Sequence, residues 1–156
     1  MAGTILCGVN ESAEARNAVS VAAALSKQLE LRLVLVHVAD APADAEDLLA
    51  EDGGTTMTAR NRGKRLLDEL TAERGLERVE QRIEVGDTAE RLAQVAAEER
   101  ASLILVGARP QVHRWRPTFR SDLTGDLARL TLCPVFVVPA ATKGHSRRGP
   151  FALADR

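Results

Sequence analysis

Five short apolar runs recur along the chain, and each has the length and composition of a β-strand. The predicted strands are Thr4–Val9, Leu31–Val38, Arg78–Val85, Leu103–Gly107 and Val135–Val138. The fourth run begins with four consecutive apolar residues, which is typical of a strand buried on both faces of a parallel sheet. The third run is more polar than the others, so we expect it at an edge of the sheet.

Between these runs, apolar residues recur at steps of three and four, which is the spacing of a helix with one buried face. The first helix begins after Ser12, its predicted N-cap, and the second runs from about Thr55 to Gly75. Asp87 opens the third helix with a capping box, and Ser121 is the predicted N-cap of the fourth. This alternation predicts an α/β fold in which right-handed crossovers build a parallel sheet covered by helices.

The length and the pattern predict one domain over residues 1–140, followed by a mobile tail over residues 141–156 that lacks any periodicity. The formal net charge of −1 gives no general attraction to nucleic acid or to an anionic membrane. We see no signal peptide and no run of the ~20 apolar residues that cross a bilayer, so we expect a cytoplasmic protein. Cys7 and Cys133 lie outside any metal-binding spacing, which favours reduced thiols and no metal site.

The segment between the fourth strand and the fourth helix is strongly basic. Residues 108–121 contain no acidic residue and four arginines, which are Arg109, Arg114, Arg116 and Arg120. A buried strand, a cationic loop and a helix N-terminus together form a place where an anion can bind. The alternative interpretation is that these arginines are solvated or pair with the acidic segment 39–54.

The sequence contains few of the motifs that indicate catalysis. It has no G-x-S-x-G turn, no G-x4-G-K-[ST] loop and no constellation of paired carboxylates. Helix capping explains Ser12 and Ser121, and His37 lies within an apolar strand, which favours a hydrogen-bonded interior histidine over a ligand. We therefore expect a protein that is not an enzyme.

Four stretches resemble the universal stress protein family, over roughly residues 2–139. They are ILCGVNES at the first strand and turn, LVLVHV at the second strand, the fourth strand Leu103–Gly107, and the closing TLCPVFVV. The resemblance implies an adenine nucleotide alpha hydrolase-like fold, a doubly wound five-stranded sheet of order 3-2-1-4-5 with helices on both faces. In such a sheet ligands bind where the strand order reverses, here between strands 1 and 4.

The resemblance also implies a nucleotide site that is incomplete in this chain. ATP-binding members of the family carry G-x2-G-x9-G-[ST] after the fourth strand, and here Gly107 and Ser121 keep the first and last positions. Pro110 and Arg120 replace the other two glycines. Proline has no amide hydrogen, and arginine resists the positive φ that glycine tolerates. Asn10 stands where the family has the acidic residue that contacts the nucleotide.

The candidate ligand-binding residues are Asn10, Val38, Gly107, Arg109, Arg120 and Ser121. We expect ATP to bind weakly or not at all. The leading hypothesis is a non-catalytic, dimeric stress-response protein with a degenerate nucleotide crevice and an unidentified protein partner. The alternative is a member that binds ATP, another adenine nucleotide or a different anion through the loop arginines.

The fifth strand is the predicted seam of a homodimer. In the order 3-2-1-4-5 it lies at an edge, and it carries no charge; its residues are Val135, Phe136, Val137 and Val138. Soluble proteins seldom leave an apolar edge unpaired, because it presents free backbone donors and acceptors. Pairing with a two-fold mate satisfies these groups, and the family's habit of dimerising through its last strand implies the same seam. The alternative is that the tail folds back to cover this edge, with Phe151 and Leu153 docked on it.

Overall fold

The computed structural model of the chain describes residues 3–39, 54–108 and 122–140. Within these ranges, strands and helices alternate as predicted. The strands are β1 (Thr4–Val9), β2 (Arg32–Ala39), β3 (Val79–Val85), β4 (Ala101–Gly107) and β5 (Val135–Val138). The helices are α1 (Ala13–Leu29), α2 (Gly54–Glu73), α3 (Thr88–Glu98) and α4 (Leu123–Leu130).

All of these strands form one parallel sheet of order β3-β2-β1-β4-β5. β1 lies at the centre, where Cys7 is paired with Leu35 of β2 on one side and with Leu105 of β4 on the other. The strand order reverses between β1 and β4. The predicted doubly wound fold is confirmed, and β3 lies at an edge as its polarity indicated.

The side chains of β1 alternate between two apolar cores, because successive residues of a strand point to opposite faces of the sheet. Ile5, Cys7 and Val9 pack in the core that α1 and α2 cover. Leu6 packs in the opposite core, together with residues of α3 and Leu127 of α4. Burial on both faces explains why the central strands are continuous apolar runs rather than alternating ones.

The helix starts are set by side-chain caps. Ser12 Oγ accepts a hydrogen bond from the Ala15 N–H at 3.1 Å, and Asp87 Oδ1 accepts one from the Glu90 N–H at 3.0 Å. Both of these predicted N-caps are confirmed. Each cap begins a helix directly after the carboxyl end of a strand. Because the strands are parallel, both caps lie at the same end of the sheet.

The predicted cap of α4 is wrong. Asp122, not Ser121, has the N-cap position, and its carboxylate accepts a hydrogen bond from the Thr124 N–H. Serine and aspartate cap helices about equally well, so local preference does not distinguish two adjacent residues of these types. Which of the two residues caps α4 depends on where the helix begins once it is packed against its neighbours.

Two strand ends extend beyond the apolar runs that predicted them. β2 ends at Ala39 rather than Val38, because Ala39 is still paired with Val85 of β3. β4 begins at Ala101 rather than Leu103, because Ala101 is still paired with β1. Backbone pairing does not require an apolar side chain, and the other strand ends agree with the predictions to within one residue.

Among the residues that the structure describes, no group of histidine, cysteine or acidic side chains is arranged to hold a metal ion. In the same ranges, no helix combines the length and the apolar character that crossing a bilayer requires. Both cysteines are free, Cys7 buried and Cys133 partly buried. The predicted tail over residues 141–156 and most of the predicted basic loop lie outside the described residues.

Candidate functional site

A cavity of about 670 Å³ lies at the carboxyl ends of the parallel strands. It is bordered by the ends of β1, β2 and β4, by one side of α2, and by the first residues of α3 and α4. This is the point where the strand order reverses, at which doubly wound sheets bind their ligands. The volume falls within the ~300–1,000 Å³ range of small-molecule sites, so this cavity is the candidate functional site.

The larger buried side chains of the lining are apolar, and we call them the floor of the cavity. They are Val9 of β1, Val36 of β2, Leu92 of α3 and Val106 of β4. Gly8 gives Leu92 the room to reach this floor, because a Cβ at position 8 would lie 3.1 Å from Leu92 Cδ1. Because these side chains are at most 5% exposed, they close the inner end of the cavity.

Asn10 lies at the exposed rim, in the turn between β1 and α1. Its Oδ1 accepts a hydrogen bond from the Ser12 N–H at 2.9 Å, and the Ser12 cap in turn holds the first turn of α1. These bonds fix the shape of the turn and hold Asn10 beside the cavity. The amide NH₂ of Asn10 is a donor, whereas an aspartate at this position would present acceptors only.

Gly107 ends β4 where the strand meets the start of α1. A Cβ at this position would lie 2.5 Å from the backbone nitrogen of Ala15 and 2.6 Å from the carbonyl carbon of Glu14. Real Cβ atoms do not approach backbone that closely, so packing against α1 requires a glycine here. The presence of Gly107 therefore has a structural explanation that is independent of any phosphate.

His37 and Val38 are half-buried, and both line the cavity at the end of β2. The Nδ1 atom of His37 lies 2.9 Å from the carbonyl oxygen of Val9. Because a carbonyl only accepts, Nδ1 carries the hydrogen, which leaves Nε2 as an acceptor in the neutral ring. His37 is hydrogen-bonded as predicted, but its place near the carboxyl end of β2 puts it beside the cavity rather than in the interior.

Most of the lining is absent from the predicted set of ligand-binding residues, including Arg62 of α2 and Thr88 at the start of α3. The periodicity of α2 assigns Arg62 to a solvated face, and the one local indication of its role is the neighbouring Gly63. A glycine within a helix often marks a close approach of another group. Here a Cβ at position 63 would lie 2.5 Å from His37 Cδ2, so α2 crosses directly over the end of β2.

The two cysteines are poor nucleophiles. Burial raises the pKa of the Cys7 thiol to about 12, and burial also raises the pKa of the Cys133 thiol. A nucleophilic cysteine needs a lowered pKa, so that the thiolate is present near neutral pH. Both cysteines therefore stay protonated at pH 7, and neither belongs to the described lining of the cavity.

The sequence model of the universal stress protein family matches residues 1–139. The chain belongs to the universal stress protein family. The predicted family is thus confirmed, over a match that includes every strand of the sheet. No curated protein is similar enough in sequence to match the chain.

Solved structures of universal stress proteins have the same fold. One from Burkholderia pseudomallei is 28% identical, with a TM-score of 0.67 over 88% of this chain and 96% of that one. A universal stress protein in complex with cAMP is 18% identical, with a TM-score of 0.62 over 90% of this chain and 98% of that one. A third, from Archaeoglobus fulgidus in complex with dAMP, is 14% identical, with a TM-score of 0.60 over 88% and 98% of the two chains.

In this universal stress protein, three of the predicted ligand-binding residues meet at one cavity: Asn10, Val38 and Gly107. The other three, Arg109, Arg120 and Ser121, lie outside the described residues. A ligand-binding role for all six stays a prediction. The topology brings the first three together, because the carboxyl ends of β1, β2 and β4 are neighbours in the sheet.

Proposed function

We propose that this universal stress protein is a non-catalytic regulatory protein whose crevice has lost the cradle for a triphosphate. The main observation in support is the close contact of Gly107 with the backbone of α1, which explains why a glycine is needed there even when no ligand binds. Pro110 and Arg120 stand at the other two glycine positions of the family pattern. None of the three positions then argues for a cradle of backbone amides.

The described lining also supports binding rather than turnover. A nucleophilic mechanism needs a nucleophile and a base within hydrogen-bond reach of each other. Ser12 Oγ instead accepts a hydrogen bond from the backbone of α1, and His37 Nδ1 donates to the carbonyl of Val9. In these described bonds each side chain contacts the backbone and not the other, so no nucleophile–base pair is formed between Ser12 and His37.

The second part of the proposal is a homodimer joined through β5, which presents its surface to a protein partner. Among the described residues β5 pairs with β4 alone, and its side chains Phe136 and Val137 are 52% and 43% exposed. Pairing β5 with its two-fold mate covers these side chains and satisfies the edge backbone.

Calorimetric titration with Mg-ATP, together with an assay for phosphate release, tests the loss of the cradle. We expect no dissociation constant in the low micromolar range and no turnover. Pro110→Gly restores an amide donor, and Arg120→Gly restores a residue that tolerates a positive φ. Together the two changes should tighten ATP binding by about tenfold or more. Low micromolar ATP binding by the unaltered protein would contradict the proposal, and phosphate release would contradict its non-catalytic part.

A second candidate function is the binding of an adenine nucleotide with a short phosphate chain. The cavity of about 670 Å³ favours it, because this volume is in the range of small-molecule sites and does not require a triphosphate cradle. Universal stress proteins of the same fold have been solved with cAMP and with dAMP. Saturable binding of AMP, with ATP no tighter than AMP, is the expected result. Binding of neither AMP nor adenosine would exclude this candidate.

A further inference from the structure

Arg62 is a cation that α2 places at the cavity. It lines the cavity from the helix that crosses over the end of β2, and the contact of Gly63 with the His37 ring fixes this crossing. The next side chain along α2, that of Lys64, is exposed and hydrogen-bonds Asp68 and Gln81 instead. α2 thus passes close to β2 at Gly63, and the arginine beside this glycine lies at the cavity.

No described acidic residue forms an ion pair with Arg62. Other arginines of the same structure do form ion pairs, among them Arg16 with Glu69 at 2.9 Å and Arg82 with Glu98 at 2.8 Å. Several exposed arginines also form none, so what distinguishes Arg62 is its place at a cavity with an apolar floor.

The charges around the cavity suit an anion on the α2 side. Arg65 lies one turn from Arg62 on the same helix, and neighbouring like charges raise the local positive potential. The other charged residue of the described lining is Glu11, which belongs to the turn after β1 and forms no ion pair with Arg62. A negatively charged group on the α2 side would be attracted by Arg62, and one beside Glu11 would be repelled.

We infer that Arg62 binds the anionic group of the crevice ligand. This inference rests on the second candidate function above and names its ligand class, a compact phosphorylated molecule such as a nucleoside monophosphate. An arginine binds phosphate through two parallel hydrogen bonds and needs no special backbone shape. It thereby takes the role that glycine amides have in a phosphate cradle.

Paired titrations with AMP and adenosine test the inference, since these probes differ only in the phosphate. For the unaltered protein we expect AMP to bind about 10- to 100-fold more tightly than adenosine, as hydrogen bonds to a charged group imply. Arg62→Gln should remove this advantage and leave adenosine binding unchanged. The matched control is Arg60→Gln, an exposed residue of the same helix outside the cavity lining, which should keep the advantage.

The outcomes separate this inference from the function on which it rests. If adenosine binds and AMP binds no more tightly, or if Arg62→Gln keeps the AMP advantage, the inference is wrong and the ligand-binding function stands. If Arg120→Gln removes the advantage while Arg62→Gln does not, a loop arginine has the role instead. If neither probe binds, the ligand-binding function fails and the inference fails with it. Melting temperatures of all variants confirm that each is folded.

Discussion

The two edges of the sheet differ in the side chains that surround their unpaired backbone. At the β3 edge, Arg82 contacts Glu84 at 2.9 Å and Glu98 at 2.8 Å, so charged groups cover the strand. At the β5 edge, the outer side chains are Phe136 and Val137, which are 52% and 43% exposed. One edge is charged and internally paired, and the other is apolar.

The β5 edge is better suited than the β3 edge to pairing with another strand. Charged side chains on an edge disfavour further pairing, because a second strand would have to desolvate them. The β5 edge has no such protection among the described residues, and Leu130 and Leu132 add exposed apolar surface next to it. We therefore place the proposed homodimer seam at β5 and expect the β3 edge to stay solvated.

The largest expected effect is the loss of the dimer in Val137→Lys. A lysine at the seam would bury an ammonium group without a partner, so the dimer dissociation constant should rise by about 100-fold or more. Light scattering measures it, as a fall from twice 16.8 kDa to 16.8 kDa at micromolar concentration. The matched control places a lysine on the opposite edge strand, as Glu80→Lys, and should leave the measured mass of the dimer unchanged. A monomeric unaltered protein would refute the seam.

A smaller effect is expected for Leu132→Ser, beside the same edge. Leu132 is fully exposed in the single chain, so its truncation should not change the melting temperature of the monomer. If the dimer covers this side chain, losing its burial should weaken association by about tenfold or more. Sedimentation at several concentrations measures the change. An unchanged dissociation constant would place Leu132 outside the interface.

The smallest effect concerns the β3 edge and depends on pH. Hydrogen bonds from Arg82 and Gln94 hold the pKa of the Glu98 carboxyl below its usual range. A carboxyl with a lowered pKa in the folded state stabilises the fold above its ordinary pKa of about 4, and this stabilisation is lost as the pH falls through the lowered value. Arg82→Gln should therefore lower the melting temperature by a few degrees at pH 7 and have little effect near pH 2. A difference that persists undiminished at low pH would show that Arg82 acts through packing instead.

Most of the fold could be predicted because it follows from local patterns. Buried parallel strands require continuous apolar runs, and the helices between them require one apolar face, so both are visible in the residues themselves. The errors are confined to element ends. Asp122 rather than Ser121 caps α4, and β4 begins at Ala101, because a cap or a backbone pair depends on where the packed neighbours end.

The candidate site could be predicted only where it follows from the strand order. Asn10, Val38 and Gly107 come directly at or after strand ends, so the topology alone brings them together. Arg62 could not be predicted in the same way. Its place at the cavity depends on how α2 crosses β2, which no pattern of apolar residues specifies.

The strands, the helices, their order and the family thus follow from the residues alone. These properties depend on which residues must be buried, and the spacing of apolar residues along the chain indicates which ones those are. The packing of the elements explains the two glycines: a side chain at Gly107 would clash with the backbone of α1, and the close approach at Gly63 accompanies the placement of Arg62 at the cavity. Both are contacts between elements distant along the chain, at distances of a few ångströms, and a glycine in a sequence does not show which neighbour requires it.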